Sequence, residues 1–184
     1  MLGTNWASRR RLLTVLAAAA CLAGVSAATA SAAPAAPPGA VMLQNGGFPG
    51  SVLCASPSND SVWVQSQGTA IGNPYCSWMQ LGPDGQFTLF NLGKAEVMAC
   101  TGGDVGPILM EQPGTSPLGS NAQQFSWGGV EDWGYRALQC FYDSGQNVDA
   151  KATDGDYPRT DPVHARGWRH GYQRELTWNE VAAQ

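Results

Sequence analysis

One pattern occurs three times along this chain, and it limits the possible folds more than any other feature. Each occurrence starts with a short apolar strand ending in cysteine: Ser51-Val52-Leu53-Cys54, Val97-Met98-Ala99-Cys100 and Ala137-Leu138-Gln139-Cys140. A turn and a second strand follow, at 61–65, 107–112 and 146–151. After a variable loop each unit closes on an apolar residue, a hydroxyl residue and tryptophan: Cys76-Ser77-Trp78, Phe125-Ser126-Trp127 and Leu176-Thr177-Trp178. Units of this length cannot each bury an apolar face alone, so the repeat implies that three of them share one core.

Helical periodicity is almost absent from residue 41 onward. Short alternating runs such as Ser61-Val62-Trp63-Val64-Gln65 and Gln86-Phe87-Thr88-Leu89-Phe90 are separated by turn clusters such as Gly82-Pro83-Asp84-Gly85. Three units of about four strands predict an all-β chain, a β-trefoil of three imperfect repeats, with a plain β-sandwich as the alternative. Trp78, Trp127 and Trp178 are expected to point together into a barrel under a pseudo-threefold axis. The third unit departs from the pattern. Its opening strand is expected to be cut short, or replaced by Trp133-Gly134-Tyr135-Arg136, and its closing loop at 153–173 is longer.

Residues 1–32 have the layout of a cleavable export signal. Arg9-Arg10-Arg11 precedes an apolar run from Leu12 to Val25, and Ala28-Thr29-Ala30 and Ala30-Ser31-Ala32 offer small-residue cleavage sites. Ser8-Arg9-Arg10-Arg11-Leu12-Leu13 also resembles a twin-arginine signal, and Cys21 a lipoprotein site, which are two variants of the same reading. Residues 33–40 read as a flexible linker and 41–184 as the trefoil domain. Without the signal, seven basic residues face fourteen acidic ones, a balance that argues against nucleic-acid and membrane partners. The expected product is an extracellular, secreted monomer.

Four cysteines follow the signal, and outside the cytoplasm they imply two disulfides with three possible connectivities. Cys54 with Cys76 and Cys100 with Cys140 is the favoured pairing, the first closing a short loop and the second tying two later segments together. Zinc is disfavoured: there is no C-x-x-C, and His164 and His170 are far in sequence from every cysteine. Asp154, Asp156 and Asp161 lack the spacing of a calcium loop. Adjacent Glu131 and Asp132 would point to opposite faces of a strand and could not share a glycoside, and no G-x-S-x-G occurs. Neither an enzyme nor a cofactor is expected.

Gln123-Gln124-Phe125-Ser126-Trp127 is similar to the Q-x-W closing motif of the ricin B-type lectin family, with Phe in the tryptophan place. In the other units Pro74-Tyr75-Cys76 and Arg174-Glu175-Leu176 occupy the glutamine's slot. Cys54 with Cys76 resembles the disulfide within a repeat of such lectins. The resemblance covers residues 40–181 and implies sugar binding by an exposed aromatic, a carboxylate and an amide in each unit. Carried over, it implies Asp60 with Trp63 in the first unit (Asn59 and Gln65 nearby). In the second it implies Asp104 with Asn121 and Gln123, and in the third Asp143 with Trp168 or Tyr172. The alternative expectation is that the turn aspartates bond their own backbone, and Gln123 the hairpin. The third unit is the best candidate, because its long loop also holds Arg166, Arg169 and His170. The resulting expectation is a non-catalytic carbohydrate-binding domain for a saccharide or polysaccharide. The alternative is a protein-binding trefoil such as a protease inhibitor, presenting the 153–173 loop or Gly114-Thr115-Ser116-Pro117.

Overall fold

A computed structural model of the chain describes residues 35–150, 162–169, 171 and 173–184. The strands are β1 (Val41–Asn45), β2 (Ser51–Ala55), β3 (Val62–Ser66), β4 (Trp78–Leu81), β5 (Thr88–Asn91) and β6 (Glu96–Cys100). They continue as β7 (Ile108–Glu111), β8 (Phe125–Val130), β9 (Arg136–Cys140), β10 (Gln146–Asp149), β11 (His164–Gly167) and β12 (Thr177–Ala182). Alternate burial along β3, β5 and β8 is the signature of strands with one face in a core.

Six of these strands close a barrel in the order β1, β4, β5, β8, β9, β12 and back to β1. β5 and β8 meet through a single bridge between Phe87 and Phe125. The remaining strands form the hairpins β2–β3, β6–β7 and β10–β11. These hairpins join one another at their bases, through bridges Ser61–Leu109 and Pro107–His164 and a hydrogen bond from the Val163 N–H to the Val62 carbonyl. Barrel plus triangular cap is a β-trefoil.

The threefold relation shows in the packing. Leu43, Leu89 and Leu138 occupy the same place on β1, β5 and β9, and all three are fully buried. A single 3₁₀ turn precedes β4, β8 and β12, ending at Cys76, Gln123 and Leu176. Two residues beyond each turn stand Trp78, Phe125 and Trp178, also fully buried. Trp78 and Trp178 donate their indole N–H to the Leu53 and Val148 carbonyls, each at 2.8 Å.

Two expectations from the sequence need correction. First, the equivalent of Trp78 and Trp178 is Phe125, not Trp127. Trp127 faces the same way two residues further along β8. There its ring centroid lies 5.5 Å from that of Phe87, and its N–H meets Gln80 at 2.7 Å. β8 has a register shift between Trp127 and Val130, which lets one strand carry both rings. Second, the strand ending at Cys140 is the first strand of its unit, whereas those ending at Cys54 and Cys100 include the second strands β2 and β6. β9 is as long as β1, so the opening strand is not cut short. Asn45 and Asn91 end the first strands of the other units, and each accepts two backbone N–H groups of the next turn. Cys140 takes that place and bonds instead to Cys100 across the unit boundary.

The disulfides are Cys54–Cys76, inside the first unit, and Cys100–Cys140, between the second and third. The first lies in a satellite core with Met42, Val52 and Ala70, and the second in the main core.

Trp78→Ala is expected to cost about 3–5 kcal/mol, measured by chemical denaturation. Trp78→Phe should cost only about 1–3 kcal/mol, mostly for the unpaired Leu53 carbonyl, because the second unit already functions with phenylalanine there. Replacing both Cys100 and Cys140 by alanine frees a segment with 40 residues of separation, worth about 4 kcal/mol of denatured-state constraint. A variant whose unfolding midpoint matches the parent would contradict this role.

Candidate functional site

The third unit carries an open cleft of about 400 Å³ between the β8–β9 connection and the β10–β11 hairpin. Its floor is Ala137 and Gln139, alternate residues on one face of β9, with Asn147 directly across from Gln139 on β10. Gly128 and Gly129 keep one side open: a Cβ on Gly128 would meet the Ala137 Cβ at 3.2 Å, whereas one on Gly129 would meet nothing. Glu131 forms one rim, the Ser144–Gly145 turn another, and Trp168, 37% exposed just beyond β11, a third.

Asn147 is the least expected member of this group. Its side chain is 98% buried, and its amide nitrogen donates to the Arg166 carbonyl at 3.3 Å, which fixes the amide orientation. The oxygen at the other end is buried and has no partner. The neighbouring Gln146 amide oxygen is in the same state. Native structures leave few such groups, because an unpaired buried acceptor costs about 1–3 kcal/mol.

Behind the cleft, β10 and β11 hold a buried charge cluster. Asp149 is fully buried, 3.3 Å from the Arg166 guanidinium and 3.6 Å from His164 Nε2. Arg166 also reaches Glu175 at 3.6 Å. Burial, then the Arg166 charge, holds the His164 imidazole below its ordinary value. A hydrogen bond to the Pro162 backbone and the Asp104 charge pull the other way without reversing the shift.

The residues expected from the sequence are scattered. Trp168 lines the cleft, and Asp143 sits beside it in the turn, where one carboxylate oxygen accepts the Gly145 N–H at 3.2 Å. Tyr172 and His170 lie outside the described residues. Asp104, in the turn between β6 and β7, reaches across to the third unit: it accepts the Gly167 N–H and pairs with Arg169. The Gly167 N–H, and after it Arg169, lowers the Asp104 carboxyl below its usual range. Gln123 is buried, and its amide is engaged by Gly114, Glu111 and Gln112, while Asn121 is exposed on the adjoining 3₁₀ turn. Asp104 and Gln123 share no partner. Asp60 pairs with Lys94 at 3.3 Å, and Trp63 lines a hollow of about 260 Å³ along β3 that does not include Asp60. Another hollow, about 330 Å³ between Pro37, Pro74, Leu92 and Gln184, has no aromatic wall. Gln139, Asn147 and the glycine pair were not singled out in the sequence, since polar residues in strands usually face solvent.

No family model matches the chain, and a search of characterised proteins finds no match. Solved structures share the trefoil. The designed threefold-symmetric protein ThreeFoil aligns with a TM-score of 0.60 at 19% identity, covering 78% of this chain and 99% of its own. The Polyporus squamosus lectin, solved with Neu5Acα2-6Galβ1-4GlcNAc, aligns at 0.58 and 15% identity, covering 77% of this chain and 48% of its own. An endo-β-galactosidase from Clostridium perfringens that releases GlcNAcα1-4Gal aligns at 0.58 and 17%, covering 77% and 32%. The chain therefore spans about half or less of these last two proteins. At such identities the likeness establishes the fold and no more. The fold is shared with lectins, and also with glycosidase and toxin chains.

A histidine depressed in the fold stays neutral while the unfolded chain takes up a proton, so acidification through the ordinary imidazole range favours unfolding. Stability should fall as pH drops from about 7 towards 5, and His164→Gln should flatten that slope. Denaturant titrations across the range provide the measurement, and an unchanged slope in the variant would refute the assignment.

Proposed function

We propose that this chain is exported by its first 32 residues and that the mature trefoil binds a saccharide, without catalysis, in the third-unit cleft. One observation carries the reading: an exposed tryptophan borders a cleft whose lining includes the polar side chains of Glu131, Gln139, Ser144 and Asn147. A pyranose has an apolar face and a rim of hydroxyls, which such a site accommodates by stacking on Trp168 and hydrogen bonding to Glu131 and Gln139. Ser144 and Asp143 supply further polar groups around the rim. The trefoil fold shared with lectins supports this. Two disulfides, and no described helix long and apolar enough to cross a membrane, are consistent with an extracellular protein.

The test is retention of the mature protein on insoluble polysaccharides and a glycan array, with soluble sugar as competitor. Trp168→Ala should weaken binding at least tenfold, about 1.4 kcal/mol, at unchanged thermal stability. Gly129→Phe should block the cleft without removing any contacting side chain. Retention that no free saccharide reverses, or that both variants preserve, would sink the proposal.

A further inference from the structure

The charge of the cleft distinguishes among saccharides, an inference that rests on the sugar-binding reading above. Glu131, on its rim, is an acceptor-only carboxylate when ionised. No described residue lining the cleft is basic. The arginines flanking Trp168 are already paired with carboxylates, Arg166 with Asp149 and Glu175 and Arg169 with Asp104. An acidic sugar would therefore meet Glu131 with no compensating cation, a contact that costs free energy in a partly enclosed site. A protonated amine meets the opposite conditions. It offers three donors to the Glu131 carboxylate and its polar neighbours in the cleft, and the face of Trp168 attracts it as a cation. Acidic residues outnumber basic ones two to one after residue 32, which draws cations to the surface over longer range.

We infer that the third-unit cleft takes a hexosamine with a free amino group, as in a partly deacetylated aminoglycan, held between Glu131 and Trp168. Acetylation removes the charge and two of the three donors, so it should discriminate sharply.

The experiment compares binding of a glucosamine hexamer, its fully N-acetylated counterpart and a glucuronate oligosaccharide by calorimetry at low salt, with a lysine hexamer as the control for bulk charge. The glucosamine hexamer should bind at least tenfold more tightly than the acetylated one, the glucuronate oligosaccharide should bind weakest, and added salt should narrow the difference. Glu131→Gln should bring the ratio of the first two affinities towards one, and Trp168→Ala should abolish glucosamine binding. Equal or tighter binding of the acetylated or acidic oligosaccharide overturns this inference and leaves the lectin reading standing. A preference that survives Glu131→Gln, or is matched by the lysine hexamer, overturns it as well. If no saccharide of any charge binds, both readings fall together.

Discussion

Leu43, Leu89 and Leu138 meet inside the barrel, one from each unit, and no unit can keep its own leucine dry without the other two. The same holds one layer along, where Trp78, Phe125 and Trp178 fill the space beneath the hairpins. Because these contacts join residues far apart in sequence, the barrel is gained or lost as a whole. Cys100–Cys140 reinforces the seam between the second and third units, and β1 with β12 closes the seam between the ends of the chain. The sites of the molecule are hung on this shared core.

Shared architecture does not make the three surfaces equivalent. In the first unit Asp60 is drawn to Lys94, and the Asn59 side chain accepts from Ser61 in its own turn. In the second, Gln123 braces the loop after β7, and Asp104 reaches across to steady β11. In both units these polar groups hold neighbouring segments. The third unit differs in that Asp104 and Asp149 occupy its arginines, while the buried Asn147 amide oxygen has no partner. The support of one unit by another is thus part of what sets this cleft apart.

Much of the fold was legible because a trefoil repeats its strand–turn signals three times, and turns rich in Gly, Pro, Asp and Asn mark the boundaries. The two errors of register have one origin. Strands are short and chemically alike, so a cysteine or a tryptophan looks like a landmark even when it has moved. Cys140 ends a first strand, where the other units carry asparagine, whereas Cys54 and Cys100 lie on second strands, so the three cysteines do not mark equivalent positions. Trp127 lay two residues beyond the true threefold partner, and only the preceding 3₁₀ turn identifies Phe125. Trp168 stood out in the sequence because a tryptophan in a polar loop has no place in a core. Asn147 did not, because nothing local distinguishes an amide that faces solvent from one buried with a free oxygen. That difference is set by β9 and β11 on either side and by a glycine pair donated from β8.

A trefoil that satisfied the same polar positions in all three units would gain stability and lose the unpaired amide oxygen of Asn147. Leaving Asn147 unpaired is a local cost of about 1–3 kcal/mol, which the shared core and two disulfides can absorb. The cleft itself restricts the mode of binding. With one such cleft among the described residues, a chain gains nothing from the avidity that three equivalent sites would provide on a repetitive polymer. Affinity must then come from the chemistry of a single site, where a carboxylate and an aromatic face act on one ring. Strong discrimination by charge and donor pattern is what such a site can offer in place of multivalency, because a ligand that leaves the carboxylate unpaired forfeits most of what binding there can yield.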